Sequence, residues 1–187
     1  MFQKFPSKFI FWTEIENHDL FKQKYLTKIK SECELNRESY IVPNWDCEVY
    51  SSINHLNSFL YDEEFLNEIV WKPMDKMLQE AEFSAYPKSS QVSHIWFNVY
   101  EKGFFQETHV HTGENSSFSG IYIIELNEPN TTAFVVNDQI PYLSGKIRTN
   151  NIKEGSVIIF PSSLDHYVNP CKENRTTISF NISSEFN

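Results

Sequence analysis

HIWFNVY, residues 94–100, opens the stretch that decides the fold. Aromatic and β-branched residues crowd it. They do so again in GIYIIEL (120–126), TAFVV (132–136), SVIIF (156–160) and TTISFNI (176–182). Such side chains suit a pleated, half-buried surface. Turn-forming groups separate the runs at 101–103, 127–130, 153–155 and 169–174. Short strands at this spacing predict a mainly β protein, built as a sandwich or barrel.

Upstream the periodicity changes. Within 18–31, Leu20, Phe21, Tyr25 and Ile29 recur near helical spacing and predict an amphipathic helix. A second helical pattern runs over 62–83 through Phe65, Leu66, Ile69, Val70, Met74, Met77 and Leu78. Pro73 is expected to kink or split it. Residues 33–60 read as loop with a short strand near 48–51. The expected plan is one domain, 1–187, in which a helical layer (1–88) supports a β core (89–187), with no linker between them.

Composition narrows the partners. The chain has 187 residues, 16 Lys and Arg against 25 Asp and Glu, and a net charge of −9. A general polyanion binder needs clustered cations, so no nucleic-acid partner is expected. No apolar run approaches the ~18 residues of a membrane span, so no membrane partner is expected. The N-terminus MFQKFPSKFIFWTEIEN has no long apolar core and no small-residue cleavage site, which reads as mature sequence. Cys33, Cys47 and Cys171 form no C-x-x-C pair and suggest reduced thiols in a cytoplasm. The N-x-S/T sequences at Asn115, Asn130, Asn174 and Asn181 follow from a chain rich in Asn and Ser. Only five Gly argue against a Gly-rich phosphate loop.

Beyond His94, three more histidines fall in the β region. His109 and His111 lie in QETHVHTGEN, and in an extended segment alternate side chains share a face. They can converge on one ion, with Val110 pointing away. His166, in GSVIIFPSSLDHYVNP, could add a third ligand from across the barrel. Imidazoles suit Fe, Zn, Cu or Ni, and three protein ligands leave positions open for substrate. Against this, H-x-H is short and arises by chance, and a lone histidine is more often structural. Arg175 lies nine residues beyond His166. It shares a strand face with Thr177, Ser179 and Asn181. An arginine inside a small barrel is costly unless it meets an anion, and its planar fork fits a carboxylate. The plain alternative is a surface arginine at a strand start.

HVHTGENSSFSGIYIIEL, then GSVIIFPSSLDH, then Arg175 resembles the iron(II)/2-oxoglutarate-dependent oxygenases. The closest likeness is to the prolyl-hydroxylase-like branch and its small bacterial and phage relatives. The resemblance covers roughly 94–182 and implies a double-stranded β-helix, a jelly roll of cupin-like form, with supporting N-terminal helices. It implies Fe(II) as cofactor, with 2-oxoglutarate and O2 as cosubstrates. It implies His109 and His166 as metal ligands, and Arg175 with Thr177 as the anchor for the far carboxylate. Most members carry Asp or Glu where this chain has His111. The second ligand is then His111, giving an all-imidazole set, or Glu114, or Asp165. Asn98 and Tyr100 share a face and could present polar ends to the cosubstrate, while Tyr122 is a weaker candidate for the same role. Trp96 and Phe97 are expected to pack the two sheets. His94 is expected to be structural, and His18 and His55, in the helical region, have no assigned role.

The implied activity is hydroxylation of a C–H bond in a peptide, amino acid or small metabolite, with release of succinate and CO2. Two alternatives stay open: a three-histidine cupin dioxygenase that needs no 2-oxoglutarate, and a non-catalytic jelly-roll binding module. A halogenase fits less well, because His111 fills the position that chloride would take. Residues 137–151 could form a lid. The oligomeric state is open, and a homodimer through the helices has no apolar heptad behind it.

Overall fold

The computed structural model describes residues 8–81, 86–111, 116–137, 140–143 and 152–186. Among the described residues, ten strands form two antiparallel sheets. The larger follows the order β1 (Phe11–Glu14), β8 (Ser156–Pro161), β5 (Ser116–Leu126), β10 (Arg175–Glu185), β3 (Ser89–Tyr100), β2 (Tyr50–Ser51). The smaller follows β4 (Gln106–His109), β9 (His166–Val168), β6 (Thr132–Asn137), β7 (Ile140–Leu143). This is the double-stranded β-helix architecture, mainly β with N-terminal helices.

Alternation along the strands sorts the side chains into two environments. Ile95 and Phe97, Tyr122 and Ile124, Val157 and Ile159, and Ile178 and Phe180 face outward from the larger sheet. They meet Phe21, Tyr25, Ile29, Leu60, Phe65, Ile69, Met74 and Met77 from the helical segments. Each such side chain contributes about 1.5–3 kcal/mol on full burial, so the helices cover a face that could not stay wet. The opposite face turns toward the smaller sheet. There Ile121, Ile123, Ile158 and Phe160 pack with Phe134 and Leu164. Gly120 lies directly across from Phe180, and a Cβ there would fall 2.1 Å from the ring. Only glycine lets that buried ring cross the strand.

The first helical run extends the expected one, and the second falls within it. The first joins α1 (His18–Phe21), a π turn (Lys22–Leu26) and α2 (Thr27–Leu35). The second joins α3 (Glu63–Phe65), a π turn (Leu66–Trp71) and α4 (Lys72–Glu80). Asp62 caps it by accepting from the Phe65 N–H at 3.1 Å. Pro73 does not split this run. Proline cannot donate to the carbonyl of Ile69, and the wider π turn lies where that bond is missing. No helix among the described residues is long and apolar enough to cross a membrane.

The first 88 residues are also more than a helical layer. Strands β1 and β2 supply both edges of the larger sheet, β1 on β8 and β2 on β3. Strand β7 falls inside the stretch expected as a lid, pairing with β6. Residues 138–139 and 144–151 of that stretch lie outside the described residues.

Candidate metal centre

Strands β4 and β9 pair so that His109 stands opposite His166, with a bulge between Gln106 and His109. His111 continues past β4, and its backbone N–H donates to the Ser162 carbonyl at 2.8 Å. The three imidazoles converge: one ligating nitrogen from each lies within 4.8 Å of the other two. His109 Nδ1 donates to the Glu107 carbonyl at 2.8 Å, and His166 Nδ1 donates to the Leu164 carbonyl at 3.0 Å. A carbonyl only accepts, so each Nδ1 carries the proton and each Nε2 keeps its lone pair. His166 Nε2 stands 3.3 Å from His111 Nε2. This is a donor set suited to a shared cation.

The cluster is dry. His166 is 3% exposed, and the rings of Phe160 and Phe134 flank it at 4.7 and 5.9 Å. Trp96 lies against His111 with centroids 5.4 Å apart. Burial, reinforced by the neighbouring imidazoles, holds His111 down to about 3 and His166 well below the ordinary histidine range. His109 is lowered for the same first reason. Neutral imidazole is the form that binds metal. It also makes the metal-free protein acid-sensitive. Below about pH 6.5 the unfolded chain takes up protons that the folded one refuses, so stability falls with pH. Thermal melting of the chelator-treated protein should give a lower Tm at pH 5 than at pH 7.5, and an unchanged Tm would contradict this.

The cavity beside the triad runs between the sheets to Arg175. Arg175 is fully buried. One terminal nitrogen donates to Thr132 Oγ1 at 2.6 Å and the other to Thr131 Oγ1 at 3.3 Å. The Tyr100 ring lies 5.3 Å from the guanidinium carbon. Its Nε has no hydrogen-bond partner, and no described carboxylate forms an ion pair with it. Burial pulls its pKa below the usual arginine value. A buried cation held only by neutral groups is poised for an anion. Asn98 adds a second unsatisfied atom to the same wall, its Oδ1.

Residues 94–181 match a family model described as "Putative 2OG-Fe(II) oxygenase". The β core has the fold of the 2OG-Fe(II) oxygenases. A prolyl-4-hydroxylase from Pseudomonas putida aligns with a TM-score of 0.59 at 12% identity, over 93% of this chain and 91% of that one. A Trichoplax adhaerens prolyl hydroxylase, solved with a hypoxia inducible factor peptide fragment, gives 0.63 at 10% identity over 93% and 83%. The viral collagen prolyl hydroxylase of Paramecium Bursaria Chlorella virus-1, solved with 2OG, gives 0.59 at 10% over 94% and 96%. No curated protein sequence gives a significant match. The family's cofactors are Fe(II), 2-oxoglutarate and O2, and the imidazole triad suits the iron.

Within this β core the expected site residues fall as follows. His109, His111, His166, Arg175, Thr177, Asn98 and Tyr100 all line the one cavity. Register places Arg175 opposite Tyr100 and Thr177 opposite Asn98. Asp165 is exposed and stands apart from the triad, while Glu114 lies outside the described residues. Tyr122 is corrected: it points to the helices, where its hydroxyl bonds His18 Nδ1 at 2.7 Å. Trp96 lies between the sheets, as a wall of the cavity, whereas Phe97 is corrected: it packs toward the helices. Asn181 accepts from Ser119 Oγ at 2.8 Å. His94 bonds the Ile53 carbonyl, and His55 that of Ser39.

Three contributors went unnoticed in the sequence. Gln106 Oε1 accepts from the Tyr100 hydroxyl at 2.7 Å and fixes that ring. Thr131 and Thr132 aim the guanidinium, and Asn130 in turn accepts from the Thr132 N–H at 3.1 Å. Gln106 sits three residues before His109, and the two threonines open β6 across the barrel, so neither signal is local to the H-x-H motif.

Proposed function

We propose that this chain is an Fe(II)/2-oxoglutarate-dependent dioxygenase that hydroxylates a C–H bond of an amino acid, a peptide residue or a small metabolite. One observation carries the reading: a fully buried arginine with an unpartnered Nε shares a cavity with three converging neutral imidazoles. His109, His111 and His166 would hold the iron. Three neutral ligands leave its charge uncompensated, which favours an anionic cosubstrate. Arg175 would receive the distal carboxylate, with Thr177 adding a hydroxyl and Thr131 and Thr132 fixing the guanidinium plane. Tyr100, tethered by Gln106, closes the wall over that end. An iron and 2-oxoglutarate held there would supply O2 chemistry in which decarboxylation to succinate and CO2 and oxidation of the substrate C–H bond to C–OH each provide two electrons and each take one oxygen atom. Phe134, Phe160 and Trp96 keep water from the centre. No side-chain general base is required.

Anaerobic reconstitution tests this. Adding Fe(II) and 2-oxoglutarate should produce a weak visible charge-transfer band, and admitting air should release succinate slowly without substrate. Failure of any first-row metal to bind after reconstitution would refute the proposal.

A further inference from the structure

A second groove, about 480 Å³ counted to its mouth, lies against the outer side of the triad and shares Trp96, His109 and His111 with the inner cavity. Its other walls include Trp45, Ile53 and Val110. The turn that carries Trp45 is specifically shaped, with Asn44 in the left-handed region at φ 70°. Asn tolerates that region better than most residues. Among the residues lining the groove, only Glu107 carries a carboxylate, and none carries an ammonium or guanidinium group. Glu107 Oε2 accepts from the Asp46 backbone N–H at 2.9 Å, which fixes the side chain in place. Its other oxygen makes no ion pair among the described residues. Exposed Asp46 and Glu48 flank it, in a chain of net charge −9.

Two indoles, two aliphatic side chains and one anchored, uncompensated carboxylate select a particular ligand. An aliphatic stem fits the walls, a protonated nitrogen fits Glu107, and indole faces attract cations further. An acidic substrate would meet only like charge. We infer that this groove is the substrate pocket and that it selects an amine- or guanidine-bearing side chain. The inference rests on the oxygenase reading, since the carbon oxidised must reach the ion held by the shared histidines.

The probes are Nα-acetyl-lysine amide and Nα-acetyl-arginine amide, against their neutral counterparts from norleucine and citrulline, with the glutamate amide as the acidic probe. Free lysine and arginine, and lysine-centred pentapeptides, distinguish a metabolite from a peptide source. Binding is read by quenching of tryptophan fluorescence in the zinc-loaded protein. Turnover is read as succinate released above the substrate-free rate, with gain of one oxygen in the probe. The cationic probes should bind about tenfold more tightly than the neutral ones, as one partly desolvated ion pair allows. Glu107→Gln keeps an acceptor for the Asp46 N–H and should bring that ratio to about one, while Glu107→Lys should favour glutamate. Equal binding of norleucine and lysine probes, or a ratio that survives Glu107→Gln, overturns the inference. Loss of the anaerobic charge-transfer band in the unaltered protein would instead count against the oxygenase reading, and the fluorescence titration does not depend on that band.

Discussion

Replacing His166 by alanine should abolish the charge-transfer band and all succinate release, while leaving a folded protein. The imidazole is the most enclosed of the three, fixed on one side by the Leu164 carbonyl and on the others by Phe134 and Phe160. Groups that merely orient a metal ligand typically cost 10–100-fold in metal affinity when removed, so loss of a ligand itself should cost more than ~100-fold. The smaller side chain leaves a void, and the fold should lose some stability for that reason. It should also gain some, because a buried imidazole no longer resists protonation in acid. Metal titration followed by circular dichroism separates the two effects. A variant that still binds iron with the affinity of the parent would remove His166 from the site.

Arg175→Met should produce effects of opposite sign on binding and on stability. In the ligand-free protein the guanidinium is buried among two threonine hydroxyls and a tyrosine ring, with no counter-charge among the described residues. Replacing a buried charge by an apolar side chain of similar volume is often neutral or stabilising. Thermal melting of the cosubstrate-free variant should therefore show an equal or higher Tm. Cosubstrate binding should collapse. Truncating one partner of a buried hydrogen-bonded charge pair costs about 2–5 kcal/mol, so the KM for 2-oxoglutarate should rise roughly thirty-fold to a few thousand-fold. A large fall in Tm with 2-oxoglutarate affinity intact would make Arg175 a structural residue. It would also favour a three-histidine dioxygenase that does without 2-oxoglutarate.

Much of the site was legible because it obeys alternation. The run 175–182 is long and half apolar, so its faces could be assigned, and Arg175, Thr177 and Ser179 do share the inner one. The same rule brought His109 and His111 together. What escaped has physical reasons. Strands β4 and β9 are only four and three residues long, and each gives one of its inward positions to a histidine rather than to an apolar side chain. Strand β1, FWTE, has too few residues for its period to be distinguished from helix. Tyr122 was placed by the family resemblance, which does not say which face of its strand the ring occupies. Its hydroxyl is satisfied by His18, a partner remote in sequence that no local pattern announces.

His109 and His166 stand on the four-stranded sheet, whereas Arg175 starts on the six-stranded one and reaches across to Thr132 at the head of β6. If this site binds a diacid as proposed, the span from that guanidinium to the imidazoles would act as a calliper for acid chain length, its jaws held by packing such as Phe134 on Phe160. Trimming either ring should then change which homologue of the diacid fits.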